Sequence, residues 1–118
     1  MNKALAIKLE NLEIKLQGSG GCECVFDKTL VNINKEIKYI SLIKKIIIEG
    51  RRDEGIEIKI NNQIVYSYFP SGNSYGNFSY TLTPSQIKFI REGSNNIQVR
   101  VRNYEGAGGV NATMTIFY

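Results

Sequence analysis

The chain has 118 residues, of which 42% are apolar and 22% charged. That is enough for one domain with its own core, and it argues against general disorder. No apolar run approaches the ~18 residues of a membrane span, and a net charge of +4 favours acidic partners without the clustered basic face on which nucleic-acid binders rely. The densest basic pairs are Lys44-Lys45 and Arg51-Arg52, and the second runs directly into Asp53 and Glu54.

Taken in chain order, "MNKALAIKLENLEIKL" scatters Lys8, Glu10, Glu13 and Lys15 where a signal peptide needs an unbroken apolar stretch. The expectation is a chain made in the cytoplasm; a domain cut from a longer secreted chain would look the same. Leu5, Leu9, Leu12 and Leu16 have helical spacing, but Leu5-Ile7-Leu9 and Leu12-Ile14-Leu16 alternate as strands and account for more of the apolar residues. The pattern predicts two strands joined by a hairpin or bulge near Glu10-Asn11. "QGSGG" is expected to break the chain. Cys22 and Cys24 then alternate with Phe26. Thiols two residues apart share a strand face but resist bridging, and the chain offers no histidine or further cysteine as a metal ligand. They read as reduced, buried and metal-free. In "KEIKYISLIKKIIIEG", Ile37, Ile40 and Ile43 suit a helical turn, and the β-branched run after them suits a buried strand ending at Gly50.

The centre alternates cleanly. Ile56, Ile58 and Ile60 share a face, Asn61-Asn62 suits a tight turn because Asn tolerates positive φ, and Ile64, Tyr66 and Tyr68 share a face after it. "PSGNSYGN" reads as a loop and "FSYTL" as a strand with Phe78, Tyr80 and Leu82 on one side. Thr83, Pro84 and Gln86 form a capping-box signature for a helix near residues 84–92, with Gly93 as its left-handed stop. Ile97, Val99 and Val101 then alternate with Gln98, Arg100 and Arg102, and Val110, Ala112, Met114, Ile116 and Tyr118 alternate to the end. About eight short strands and one small helix predict an all-β antiparallel sandwich, a single domain over residues 1–118.

Three stretches of the second half, "IKINNQIVY", "FSYTLTPSQIKFI" and "GSNNIQVRVRNYEGAGG", resemble the galactose-binding-domain-like jelly roll. That fold recurs in sugar-binding domains of glycoside hydrolases and in carbohydrate-binding modules. The resemblance covers about Ile56 to Tyr118 and rests on core and turn positions. It implies a jelly-roll sandwich with a ligand site in the loops at one end. The chain departs from the pattern in having no tryptophan and only two aspartates, Asp27 and Asp53. The structural calcium common in such domains is therefore not supported, and no cofactor is expected.

Candidate ligand contacts follow from the chemistry of sugars, which need a flat apolar face and fixed hydrogen-bond partners. Asn103, Tyr104 and Glu105 offer both beside Gly106, Gly108 and Gly109; the competing reading is that these glycines only turn a corner. Their spacing matches neither a P-loop nor a dinucleotide fingerprint. Tyr75 and Asn73 lie in the "PSGNSYGN" loop, whereas Tyr66 and Tyr68 read as core. Arg51-Arg52-Asp53-Glu54 reads as a solvated turn, with Arg51 and Arg52 as secondary polar contacts. Asn77-Phe78-Ser79 and Asn111-Ala112-Thr113 match the glycosylation pattern, which carries no weight without a secretory signal. The chain has no histidine, and nothing positions a carboxylate pair such as Glu105 with Glu54. The function expected is a non-catalytic binding module that recognises a glycan through loops at one end. The alternative is a structural or accessory jelly roll of a larger assembly, such as a phage capsid decoration or tail component, with other protein subunits as partners. A homo-oligomer is compatible with either.

Overall fold

A strand with an apolar residue at every second position must bury one face, and two such sheets bury each other. The computed structural model describes residues 9–23, 25–71 and 75–118, and among them this rule produces eight strands. They are β1 (Leu12–Glu23), β2 (Phe26–Ile37), β3 (Lys45–Asp53), β4 (Gly55–Ile60), β5 (Gln63–Tyr68), β6 (Tyr75–Thr81), β7 (Gly93–Asn103) and β8 (Ala107–Phe117). One sheet, here sheet A, has the order β1-β8-β3-β6, and sheet B has β2-β7-β4-β5, with every pairing antiparallel. That pair of orders is a jelly roll, as the resemblance implied. The core lies between the sheets, where Ile14, Leu16, Ile46, Ile48, Met114 and Ile116 meet Ile56, Ile58, Ile60, Ile97, Val99 and Val101.

Local signals account for the sharpest features. Asn61 and Asn62 have φ of 50° and 66°, the paired positive values of a two-residue hairpin whose twist matches its strands. Thr83 and Gln86 make the reciprocal capping box that opens α1 (Pro84–Ile87).

Several expectations are corrected. "QGSGG" does not break the chain but lies within β1, with Gly18 opposite Val110. A side chain at Gly18 would strike Leu30 O at 2.8 Å, so the missing Cβ permits close packing of the two sheets at this point rather than a turn. Likewise β3 continues past Gly50 to Asp53, so Arg51 and Arg52 are strand residues rather than a solvated turn. α1 stops at Ile87, not near residue 92. Beyond it the Phe89 carbonyl accepts from Asn61 Nδ2 (2.8 Å) and the Arg91 carbonyl from Asn95 Nδ2 (2.8 Å), so side chains take the place of further helical bonds. Gly93, with φ 104°, opens β7 instead of capping the helix. A register shift between Ile58 and Lys59 sends Val65 into the core and leaves Ile64 53% exposed. Tyr66 is half-buried against Phe78 and Tyr80, while Tyr68 is 41% exposed and not core. The helical turn expected around Ile40 is a single 3-10 turn, Ile40–Leu42. Leu12-Ile14-Leu16 is strand, as expected. Leu5-Ile7, the two-thiol reading at Cys22 and Cys24, and Asn73 lie outside the described residues.

Candidate functional site

Two crossovers between the sheets lie side by side at one end of the sandwich. β3 leaves sheet A at Asp53 and the chain enters sheet B at Gly55, with Glu54 alone between them at φ 68°. β7 leaves sheet B at Asn103 and β8 begins sheet A at Ala107, with Tyr104, Glu105 and Gly106 between. The Glu54 carboxylate, 2% exposed, pins one crossover to the other by accepting the backbone amides of Tyr104 and of Glu105 (3.3 Å). Charge-assisted bonds of this kind are stronger than amide–amide bonds, which suits a buried anchor. From the far side, Arg52 Nη1 donates to Glu54 O at 3.0 Å, and its guanidinium lies 4.2 Å from the centre of the Tyr68 ring.

Asn103 is 0% exposed, and its Nδ2 donates to Gly106 O at 2.7 Å. Gly106 has φ 74°, a conformation costly for other residues. A Cβ on Gly108 would fall 2.6 Å from the Asn103 side chain. The loop is thus a corner whose glycines serve geometry. Asn103 and Arg52, both expected as ligand contacts, are buried parts of its frame.

Other expected residues do face outward. Tyr75 opens β6 rather than lying in a loop, is 65% exposed, and pairs with Asp53 across the strands. The exposed Arg51 sets its guanidinium 5.1 Å from the Tyr75 ring centre. A cavity of about 190 Å³ is lined by Asp53, Glu54, Tyr75, Glu105, Gly106 and Ala107. Tyr75, Arg51 and Glu105 are therefore brought together, although they are far apart in sequence. Tyr104 turns instead toward sheet B. There its phenol is a hydrogen-bond partner of Arg102 and, ahead of Asp27, raises the guanidinium pKa above its ordinary value.

Sequence reasoning missed Asp53 as a cavity wall and Glu54 as the anchor. The available signal was the single residue left between two strand-like runs, "IIIEGRRD" and "GIEIKI". The carboxylate of Glu54 is engaged by two amides, which removes it as a partner for Glu105 in acid–base chemistry. Among the described residues no cluster of three or more His, Cys, Asp or Glu is arranged to hold a metal ion. None of their helices is long and apolar enough to cross a membrane.

No family model matches the chain, and no curated protein matches it. Among solved structures it is similar to the crystal structure of the CBM36-1 domain of a multidomain xylanase from the hindgut metagenome of Trinervitermes trinervoides, with 7% identity and a TM-score of 0.47. The likeness covers 86% of this chain and 96% of that one. The assignment of the fold rests on this chain's own strand order and register.

Proposed function

We propose that the protein is a non-catalytic carbohydrate-binding module that takes a glycan at the corner formed by the β3–β4 and β7–β8 crossovers. The observation that carries this reading is the exposed Tyr75 ring beside Arg51, facing Glu105 across a small cavity. An aromatic face packs against the C–H side of a sugar ring, while the guanidinium and carboxylate bond its hydroxyls. Arg52, Glu54 and Asn103 hold the corner from inside, so contacts form on a frame that needs little ordering on binding. The absence of histidine and the engagement of Glu54 by backbone amides support a binding role for the corner. No observation favours the assembly alternative over this one.

The test is a glycan array followed by calorimetric titration. Tyr75→Ala is expected to weaken binding roughly fivefold or more, the loss of about 1 kcal/mol from one aromatic contact. Glu105→Gln also weakens it, because a carboxylate is the stronger acceptor. Tyr104→Ala has the smaller effect, since its phenol is turned to Arg102. If no glycan binds the wild type at millimolar concentration, the reading fails.

A further inference from the structure

We infer that the binding surface continues from the corner onto the outer face of sheet A as a groove for a linear, uncharged polysaccharide; this rests on the carbohydrate reading above. The strand register aligns Gln17, Asn111, Arg51 and Asn77 in one row across all four strands, and Lys15, Thr113, Glu49 and Ser79 in the next. The floor is Gly50, where a Cβ would strike Asn111 O at 2.3 Å and Ala112 Cα at 2.4 Å. Over it lies a depression of about 640 Å³ whose polar lining is Glu49, Arg51, Asn77, Ser79, Asn111 and Thr113. Through Arg51 and Asn111 it adjoins a second hollow of about 210 Å³, which shares Asp53 and Ala107 with the corner cavity. Each hollow thus shares two lining residues with the next.

The chemistry of the lining selects the occupant. Asn77, Ser79, Asn111 and Thr113 can each donate and accept, which matches hydroxyl groups that do the same. Glu49 offsets Arg51 two positions along β3, so no row of cations awaits a polyanion. Phe78 contributes only a ring seated in the core, so an apolar helix or lipid finds no contact area. The outer face of sheet B makes a useful contrast. Its Arg100 and Arg102 pair with Asp27 at 2.8 and 3.1 Å, Arg100 and Lys59 reach Glu57, and Phe69 lies beneath both guanidinium groups. That face is tied together by ion pairs; on sheet A, Asn111 Oδ1 accepts from Gln17 Nε2 (2.8 Å) and Thr113 Oγ1 from Lys15 Nζ (3.4 Å), while Asn77 and Ser79 stand exposed. Four strands spaced ~4.8 Å apart span about 14 Å, more than a single sugar ring covers.

The probes are linear gluco- and manno-oligosaccharides from disaccharide to hexasaccharide, with an oligouronate as the charged arm, titrated against the intact chain. Affinity is expected to rise at least ~10-fold from disaccharide to hexasaccharide, about 1.4 kcal/mol. The double variant Asn77→Ala, Asn111→Ala should remove most of that rise while leaving disaccharide affinity unchanged. Tyr75→Ala should weaken both. Asn77→Ser with Asn111→Ser, which keeps a small polar group at each position, provides a milder pair should the alanines disturb folding. The groove is overturned if affinity stays flat beyond the disaccharide, if neither double variant touches the hexasaccharide, or if the oligouronate binds best. In those outcomes disaccharide binding at the corner survives, whereas binding of no probe removes the corner reading and the groove together.

Discussion

Glu54 is a charged residue that is almost fully buried and held in left-handed backbone, and each of these features is unfavourable taken alone. Its compensation is specific: the amides of Tyr104 and Glu105 on its carboxylate, and Arg52 on its carbonyl. Glu54→Ala leaves those amides unpartnered and is expected to destabilise the fold by about 2–4 kcal/mol, read as a lower denaturation midpoint with unchanged slope. Glu54→Gln keeps one acceptor and should cost less. A second residue-scale prediction concerns pH. Burial, and next the charge of Glu92, raise the pKa of Tyr118, whose hydroxyl donates to Lys38 O at 2.9 Å. The folded state therefore holds this proton more tightly than the unfolded chain. Its contribution to stability is complete below the ordinary tyrosine pKa of about 10 and is lost as pH climbs through the raised value. Thermal melts from pH 8 upward should show the decline, and Tyr118→Phe should flatten it while costing one hydrogen bond.

At the scale of elements, the two residues of the β4–β5 turn separate two roles that the sequence presents as equal. Both have positive φ, but Asn61 also donates to Phe89 O and Asn95 Oδ1 and accepts from the Asn96 amide (2.9 Å). Asn62→Gly should be neutral or slightly stabilising, since glycine suits the conformation. Asn61→Gly suits it equally yet loses the tether to the α1 exit, and should cost about 1–3 kcal/mol in chemical denaturation. Equal effects at the two positions would show that φ alone matters. The same distinction explains what was legible beforehand. Alternation, the Asn-Asn turn and the capping box are local signals, and each marks where an element stands, although the helix ends at Ile87 and β5 buries Val65 rather than Ile64. The glycines were misread because a glycine can signal either freedom in φ or the absence of a Cβ. Only the neighbour across the sheet tells which: Leu30 beside Gly18, Asn111 and Ala112 beside Gly50. The site divides in the same way. Tyr75, Arg51 and Glu105 are recognisable by residue type. The burial of Asn103 and Arg52 depends on two crossovers meeting, which no single stretch encodes.

At the scale of the whole molecule, the strand order is that of one long ribbon rolled up. β1 pairs with β8, β2 with β7, β3 with β6 and β4 with β5, and the roll is sealed where β8 meets β3 and β7 meets β4. Leu12 lies opposite Ile116, and Lys45 opposite Phe117, so the last strand of the chain is an inner strand of sheet A with partners on both sides. Such pairings close long loops before any contact repays them, which slows folding into the millisecond-to-second range. They also leave no stable partial structure, because β1 and β3 each lose a partner ladder without β8, and Ile14, Leu16, Ile46 and Ile48 lose the cover of Ala112, Met114 and Ile116. The expectation is a single unfolding transition at which circular dichroism and tyrosine fluorescence coincide. A chain ended after Gly106 should fail to fold at all, giving an undispersed amide spectrum, even though it keeps every strand of sheet B. A dispersed spectrum from that truncation would mean that sheet B, with its own hairpin and the Asn61–Asn95 tether, is stable alone. The corner that holds Tyr75 and Glu105 would then be a later addition to a finished sheet rather than the seam that closes the roll.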